Sequence, residues 1–322
     1  MTTTENPRPT FEGRVLPRPD EPPYDQGLGF DLHTLLDRRR ALSLLGLGVA
    51  GAALAACGST TTAAGGTARG TAGSSSSGSS TTGANSGATS GTSTGTLTEI
   101  PDETAGPYPG DGSNGPDVLA QSGVVRQDIT SSFGTSTTKA EGIPMTLELT
   151  ILDIAAGGGP MAGAAVYVWH CDRAGRYSMY SSGVTTENYL RGVQIADASG
   201  VVRFTSIVPG CYSGRWPHIH FEVYPNQASI ADSTKAIATS QVALPKPTCD
   251  AAYATAGYEA SVGNLARLSL ARDNVFGNDG GVHQLGTATG DPASGYAVRL
   301  TVPVDTRTAP TGGGGPGGPG RP

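Results

Sequence analysis

The sequence predicts an all-β fold, an antiparallel β-sandwich with few short helices. Three observations carry this. From Leu97 onward short segments alternate apolar and polar residues, Gly and Pro punctuate them, and helical periodicity is thin.

The elements follow in order. "MTLELTI" (145–151) sets Met145, Leu147, Leu149 and Ile151 on one face and Thr146, Glu148 and Thr150 on the other, a strand pattern. "AAVYVWHC" (164–171) is rich in β-branched and aromatic residues and follows the turn-prone "GGGPMAG". "VVRFTSI" (201–207) follows "DASG", and "PHIHFEV" (217–223) follows "VPGCYSGRW", both turn-like introductions. "GYAVRLTVPV" (295–304) closes the domain. Helices are expected only around Asp250–Ala256 and near Leu265. No repeat of roughly 20 to 50 residues is visible, which argues against a solenoid or propeller.

The chain is long enough for two average domains, but its composition points to one. Residues 58–96 are almost wholly Gly, Ser, Thr and Ala and cannot bury enough surface to offset ordering entropy, so a flexible linker is expected there. The Gly/Pro tail at 305–322 reads the same way, leaving 97–304 as the folded domain. The net charge of −6 comes with no basic stripe, which argues against a nucleic-acid partner.

Residues 1–57 read as a signal region. "DRRRALSLLGLGVAGAALAACGS" puts three arginines before an apolar run, Ala41–Ala56, that is short for a membrane span and broken by Gly46, Gly48 and Gly51. The Arg38-Arg39 pair with Leu42 resembles a twin-arginine export signal, and "LAAC" resembles a lipobox in which Cys57 is lipidated. The expectation is export to the outer side of the cell membrane, held by an N-terminal lipid anchor, or secretion. The polar stretch before the arginines is long for such a signal. Cys171, Cys211 and Cys249 remain, an odd number that permits one disulfide and one free thiol.

"RWPHIHFEV" (215–223) raises the functional question. In a strand, His218 and His220 share one face, while Ile219, Phe221 and Val223 take the other, the core face of a half-buried strand. The plain reading is a polar, solvated sheet face. Two tyrosines change the weighing: Tyr177 in "WHCDRAGRYSMY" and Tyr212, six residues before His218. Imidazole suits several transition metals, whereas a phenolate is a hard, strongly donating ligand that favours Fe(III) over Fe(II) or zinc. A zinc site is the poorer reading, because the sequence has no C-x-x-C.

In order along the chain, "ETAGPYP" (103–109), "WHCDRAGRYS", "FTSIVPGCYSGRWPHIHFEV" and "TSQVAL" resemble the intradiol ring-cleavage dioxygenases, the group of catechol and protocatechuate dioxygenases, and particularly their short, exported actinobacterial-type branch. The resemblance implies a β-sandwich with a non-haem Fe(III) centre. Tyr177, Tyr212, His218 and His220 match the family's iron ligands, Tyr212 being the one that leaves the metal when substrate binds. Arg215 matches a pocket arginine and Gln241 a pocket glutamine, and both join Tyr212 in the implied catalytic set. Pro107 and Tyr108 match residues lining the substrate pocket. The implied partners are a small aromatic diol and dioxygen, with the membrane reached only through the lipid anchor. The implied reaction is cleavage between the two hydroxylated carbons to a muconate-type diacid.

Two departures accompany the resemblance. Only five residues separate Tyr212 from His218, where the family's best-known members carry a longer loop, and the linker stands where catechol dioxygenases carry a helical dimerisation segment. If Gln241 reaches the pocket as its family match implies, the chain beyond it passes near the Tyr212 loop. Cys211–Cys249 is then the expected disulfide. The alternative function, from another class, is a non-catalytic ligand-binding β-sandwich module on the cell surface.

Overall fold

The structure, a computed structural model, describes residues 10–11, 14–15 and 97–310. The twin-arginine pair, the apolar run, Cys57, the linker at 58–96 and residues 311–322 lie outside the described residues. Strands β1 (Thr10–Phe11) and β2 (Arg14–Val15) form a short antiparallel pair.

Two sheets build the domain. The first runs β10 (Thr287–Asp291), β11 (Gly295–Val304), β3 (Pro144–Asp153) and β4 (Gly159–Pro160), with β7 (Val201–Ile207) also paired to β3. The second runs β6 (Arg191–Ile195), β5 (Ala165–Trp169), β8 (His218–Tyr224) and β9 (Ala238–Ala243). Pairing is antiparallel throughout both sheets except between β3 and β11, which run parallel from Tyr296 opposite Met145 to Val304 opposite Asp153. Leu147, Leu149 and Phe204 of the first sheet share one core with Val168, Phe221 and Val242 of the second, so the sheets pack face to face as a sandwich. Residues 124–129 stitch the layers at one edge: Val193 N–H donates to Val124 O, and Thr205 N–H donates to Gln127 O.

The alternation of β3 is the one read from the sequence: Met145, Leu147, Leu149 and Ile151 are buried while Thr146 and Pro144 are exposed. β8 differs from the expectation of a half-buried strand, for all seven of its residues are buried. The reason is a second core on the outer face of the second sheet. There Tyr167, Trp169 and Val193 pack beneath Ala105, Val118 and Leu119. The polar positions of β8 are therefore sealed under loops rather than solvated.

The helices are α1 (Lys246–Tyr253) and α2 (Glu259–Leu265). The first begins four residues before the expected Asp250, because Pro247 stands in its first turn, where its missing N–H costs nothing. The folded chain also outruns the expected boundary at 304. Asp305 N–H and the Thr308 hydroxyl both donate to Glu99 Oε1, at 3.0 and 2.8 Å, which ties the end of the domain to its start.

Candidate metal centre and pocket

The outer face of the second sheet carries a row that crosses all four strands: Arg191 opposite Trp169, Trp169 opposite His220, and His220 opposite Gln241. His218 lies two residues along β8 on the same face, opposite Ala243. Tyr177 and Tyr212 reach this row from loops. Tyr177 is anchored by its N–H to Ser181 Oγ at 2.9 Å. On the Tyr212 loop, the preceding residue Cys211 donates its N–H to Ser261 Oγ at 2.8 Å and accepts at its carbonyl from Asn264 Nδ2 at 2.8 Å.

Four donor atoms converge. His218 Nε2 lies 3.0 Å from His220 Nε2, 3.2 Å from Tyr212 Oη and 3.4 Å from Tyr177 Oη, and the two phenol oxygens are 3.4 Å apart. Metal–ligand bonds of about 2 Å hold neighbouring donors roughly 2.8 to 3.5 Å apart, so the cluster has the dimensions of a coordination shell. Among the described residues no group of three or more His, Cys, Asp or Glu is arranged to hold a metal ion, so a metal here depends on the tyrosines.

The protonation states fit the same role. His218 Nδ1–H donates to Trp216 O at 2.5 Å, which leaves the Nε2 lone pair facing the cluster. Burial, then the Arg215 charge, lowers the His218 pKa to about 3, and burial with His218 takes His220 well below the usual imidazole range. Both rings are therefore neutral and able to ligate. Burial, with the neighbouring Tyr212, raises Tyr177 well above the usual phenol range, and burial raises Tyr212 despite the opposing Arg215 charge. Ionising either phenol thus needs a cation among the four donors. The other histidine nearby, His170, has both ring nitrogens occupied, by Cys171 O at 2.8 Å and Ser206 Oγ at 2.7 Å, and takes no part.

Beside the cluster runs a polar relay. Asp273, fully buried at its side chain, accepts from Arg215 Nε at 3.1 Å and from the N–H groups of Trp216, Val275 and Phe276. Burial opposes its ionisation, but the Arg215 charge and these N–H groups prevail and hold its carboxyl below the usual range. Arg215 Nη2 donates to Gln241 Oε1 at 2.7 Å, and Gln241 Nε2 donates to Thr104 O at 2.9 Å. The carboxamide is thereby fixed at both ends.

The segment 104–108 closes over this row. Gly106, at φ +72°, leaves only 3.2 Å between a would-be Cβ and His220 Cε1, so a side chain there would press on the imidazole. The Tyr108 ring lies 5.1 Å from that of Tyr177, and Pro107 is exposed at the rim. The structure therefore brings Tyr177, Tyr212, His218, His220, Arg215 and Gln241 together, with Tyr108 beside them.

The expected Cys211–Cys249 disulfide is corrected: Cys171, Cys211 and Cys249 are all free, buried thiols. Cys211 Sγ turns to Tyr212 O and Arg215 O, and Cys171 Sγ donates to Gly210 O. Cys249 instead contacts Tyr253. Three participants escaped the sequence reading: Asp273, Trp169 and Arg191. Asp273 stands 58 residues beyond Arg215 with no spacing signal. Arg191, a charge just ahead of "GVQI", carries no spacing signal either.

Comparison with known proteins gives both sequence and fold matches. Residues 114–220 match the family model described as Dioxygenase. A catechol 1,2-dioxygenase from Pseudomonas sp. (strain EST1001) is 39% identical over 72 residues, 22% of this chain. The chain spans 23% of that relative's length in the match. The solved intradiol ring-cleavage dioxygenase from Tetranychus urticae superposes with a TM-score of 0.52 at 21% identity, covering 66% of this chain and 97% of that one. That likeness shows a shared fold, and the two sequence matches show similarity to dioxygenases over part of the chain.

Proposed function

We propose that this chain is a non-haem Fe(III)-dependent intradiol dioxygenase. Its reaction opens a small catechol-type diol between the two hydroxylated carbons, places both atoms of dioxygen in the product, and gives a muconate-type diacid. The observation that carries this reading is the convergence of Tyr177 Oη, Tyr212 Oη, His218 Nε2 and His220 Nε2 at separations of 3.0 to 3.4 Å. Two hard phenolate oxygens beside two neutral imidazoles favour ferric iron. When bound by these four residues, Fe(III) supplies Lewis acidity and a template for the diol and dioxygen.

The residues do the rest. Tyr212, whose phenol is raised by burial, would serve as the base that takes one proton from the incoming diol at Oη. Tyr177, inside the second core, stays in place as the fixed phenolate. Arg215 and the Gln241 carboxamide, already locked to Asp273 and Thr104 O, stabilise negative charge on the substrate oxygens without reorganising. Tyr108, packed on Tyr177, shields the reacting face from water.

The test is oxygen uptake by the iron-loaded full chain against catechol, protocatechuate, hydroxyquinol and larger lignin-derived catechols. The expected result is one dioxygen consumed per diol, with both labelled oxygen atoms recovered in a ring-opened diacid. Saturable diol binding without oxygen consumption would instead identify a binding module and overturn the proposal.

The proposal extends to location. Arg38-Arg39, the apolar run and Cys57 support export by a twin-arginine route and lipid anchoring on the outer side of the membrane, or secretion. Among the described residues no helix is long and apolar enough to cross a membrane.

A further inference from the structure

Arg191 is 1% exposed, yet no ion pair involves it among the described residues. Its guanidinium is satisfied by neutral oxygens alone. Nε donates to Ser178 Oγ at 3.1 Å, Nη1 to Pro109 O at 2.7 Å and Tyr167 Oη at 3.0 Å, and Nη2 to Tyr108 O at 2.9 Å and Ser178 O at 3.0 Å. All five N–H donors are used, and a lysine could supply neither their number nor their planar spread.

Four of the five acceptors belong to two loops that have no sequence proximity, and the fifth, Tyr167 Oη, is on β5. Tyr108 and Pro109 belong to the segment that closes over His220, and Ser178 directly follows Tyr177. The contact is close: a Cβ on Gly110 would sit 2.9 Å from Arg191 Nη1. The two non-glycine residues with positive φ among the described residues flank this knot. Met179, at φ 71°, follows Ser178, and Leu190, at φ 57°, precedes Arg191. Both are in a backbone region that L-residues avoid, held there by surroundings that over-determine it.

We infer that Arg191 is a positioning residue, the clamp that sets the Tyr177 loop and the Tyr108 loop against each other and so fixes where the Tyr177 phenol stands. The clamp explains why a buried charge is retained beneath the site without a carboxylate: a carboxylate would claim the fork and free one loop. It also explains the backbone strain, which is concentrated next to the residues that the guanidinium grips. This inference rests on the reading of Tyr177 as a metal ligand only for its consequence in the loaded protein. The clamp itself is testable without metal.

The experiment compares the full chain with Arg191→Lys and, as a milder change, Ser178→Ala, which removes one acceptor and keeps the guanidinium. Amide hydrogen exchange of the metal-free proteins is followed at 105–110, 177–181 and, as an internal control, 145–151. Arg191→Lys is expected to speed exchange at least tenfold in both loops while 145–151 is unchanged, and Ser178→Ala to speed it less. An Arg191→Ala protein should recover slow exchange in both loops when methylguanidinium is added, because the ligand refills the vacated fork. In iron-loaded Arg191→Lys the visible band of the ferric tyrosinates should shift relative to the unaltered chain, a change that lost stability alone does not produce.

Exchange rates in both loops equal to the unaltered chain in Arg191→Lys and in Ser178→Ala would overturn the inference. So would an increase spread evenly over 145–151, or loops in Arg191→Ala that ignore methylguanidinium. If the unaltered chain takes up iron without any visible band, the ligand reading of Tyr177 fails, while the exchange result still decides the clamp.

Discussion

Trp169 lies flat on His220, ring centroids 4.8 Å apart and planes within 6° of parallel. The two residues are directly opposed on β5 and β8, so the stack is a cross-strand pair that fixes the imidazole plane. Among the described residues, His220 Nδ1 and Trp169 Nε1, both buried, have no hydrogen-bond partner. The ring is oriented by stacking, not by the outer-shell hydrogen bond that usually aims a ligand histidine.

Trp169→Phe should therefore keep metal affinity, because a flat ring remains and an unsatisfied N–H is removed. Trp169→Leu should weaken it by about tenfold or more, the range that outer-shell partners command. Ferric-ion titrations of the two variants check this, and equal affinities in both would contradict it.

Arg215→Lys should retain iron yet lose at least about tenfold in kcat/KM, roughly 1.4 kcal/mol of transition-state stabilisation. The guanidinium holds Asp273 through Nε and Gln241 through Nη2 at once, and a single ammonium cannot span both. Steady-state kinetics with iron analysis decides the point. Full activity would remove Arg215 from the catalytic set.

Glu103 gives a pH signature. Burial foremost raises its pKa from 4.5 to about 7, against a Gln284 hydrogen bond and the Arg215 charge and with help from Asp279 and Asp273. Between these values the unfolded chain has lost the proton that the folded chain keeps. The folded state then binds more protons, so this contribution to stability is complete below pH 4.5 and is lost as pH rises to 7. Glu103→Gln should flatten that fall, by about 1 kcal/mol after discounting for partial exposure. Denaturant unfolding at pH 4.5 and pH 8 measures it, and a variant with the same slope as the unaltered chain would contradict it.

The export reading has its own outcome. Cys57→Ser should release the protein from the membrane fraction, and Arg38→Lys with Arg39→Lys should retain it in the cytoplasm. Fractionation of cells expressing each chain is the measurement. An unaltered protein found wholly in the cytosol would refute the reading.

Legibility in the sequence followed burial asymmetry. β3 and β7 each bury one face, so their period-two alternation was plain. β9, "ATSQVA", is buried on both sides and spends positions on Ser240 and Gln241, whose side chains hydrogen-bond, which erased the apolar pattern. β10, "TATGD", is mostly exposed and had no apolar face to show. The H-x-H of β8 and the two tyrosines were visible because their residue types are chemically unusual together. Arg191 and Asp273 were not, because a charge is recognised as buried only once its distant partners are placed, and those lie 82 and 58 residues away. The disulfide expectation failed for the same reason: shared proximity to the Tyr212 loop does not set the direction of a thiol.

The most direct measurement is the visible spectrum of the ferric-loaded full chain beside its Tyr177→Phe, His218→Ala, His220→Ala and Ile219→Val variants. A tyrosinate-to-iron band is expected in the unaltered chain with close to one ferric ion bound. Tyr177→Phe should shift and weaken the band, and each histidine variant should lose the metal. Ile219→Val, on the core face of the same strand, should keep both at a cost of about 0.5 to 1.5 kcal/mol in stability. Colourless protein after iron loading, or equal losses at His218, Ile219 and His220, would contradict a metal centre built from these four side chains.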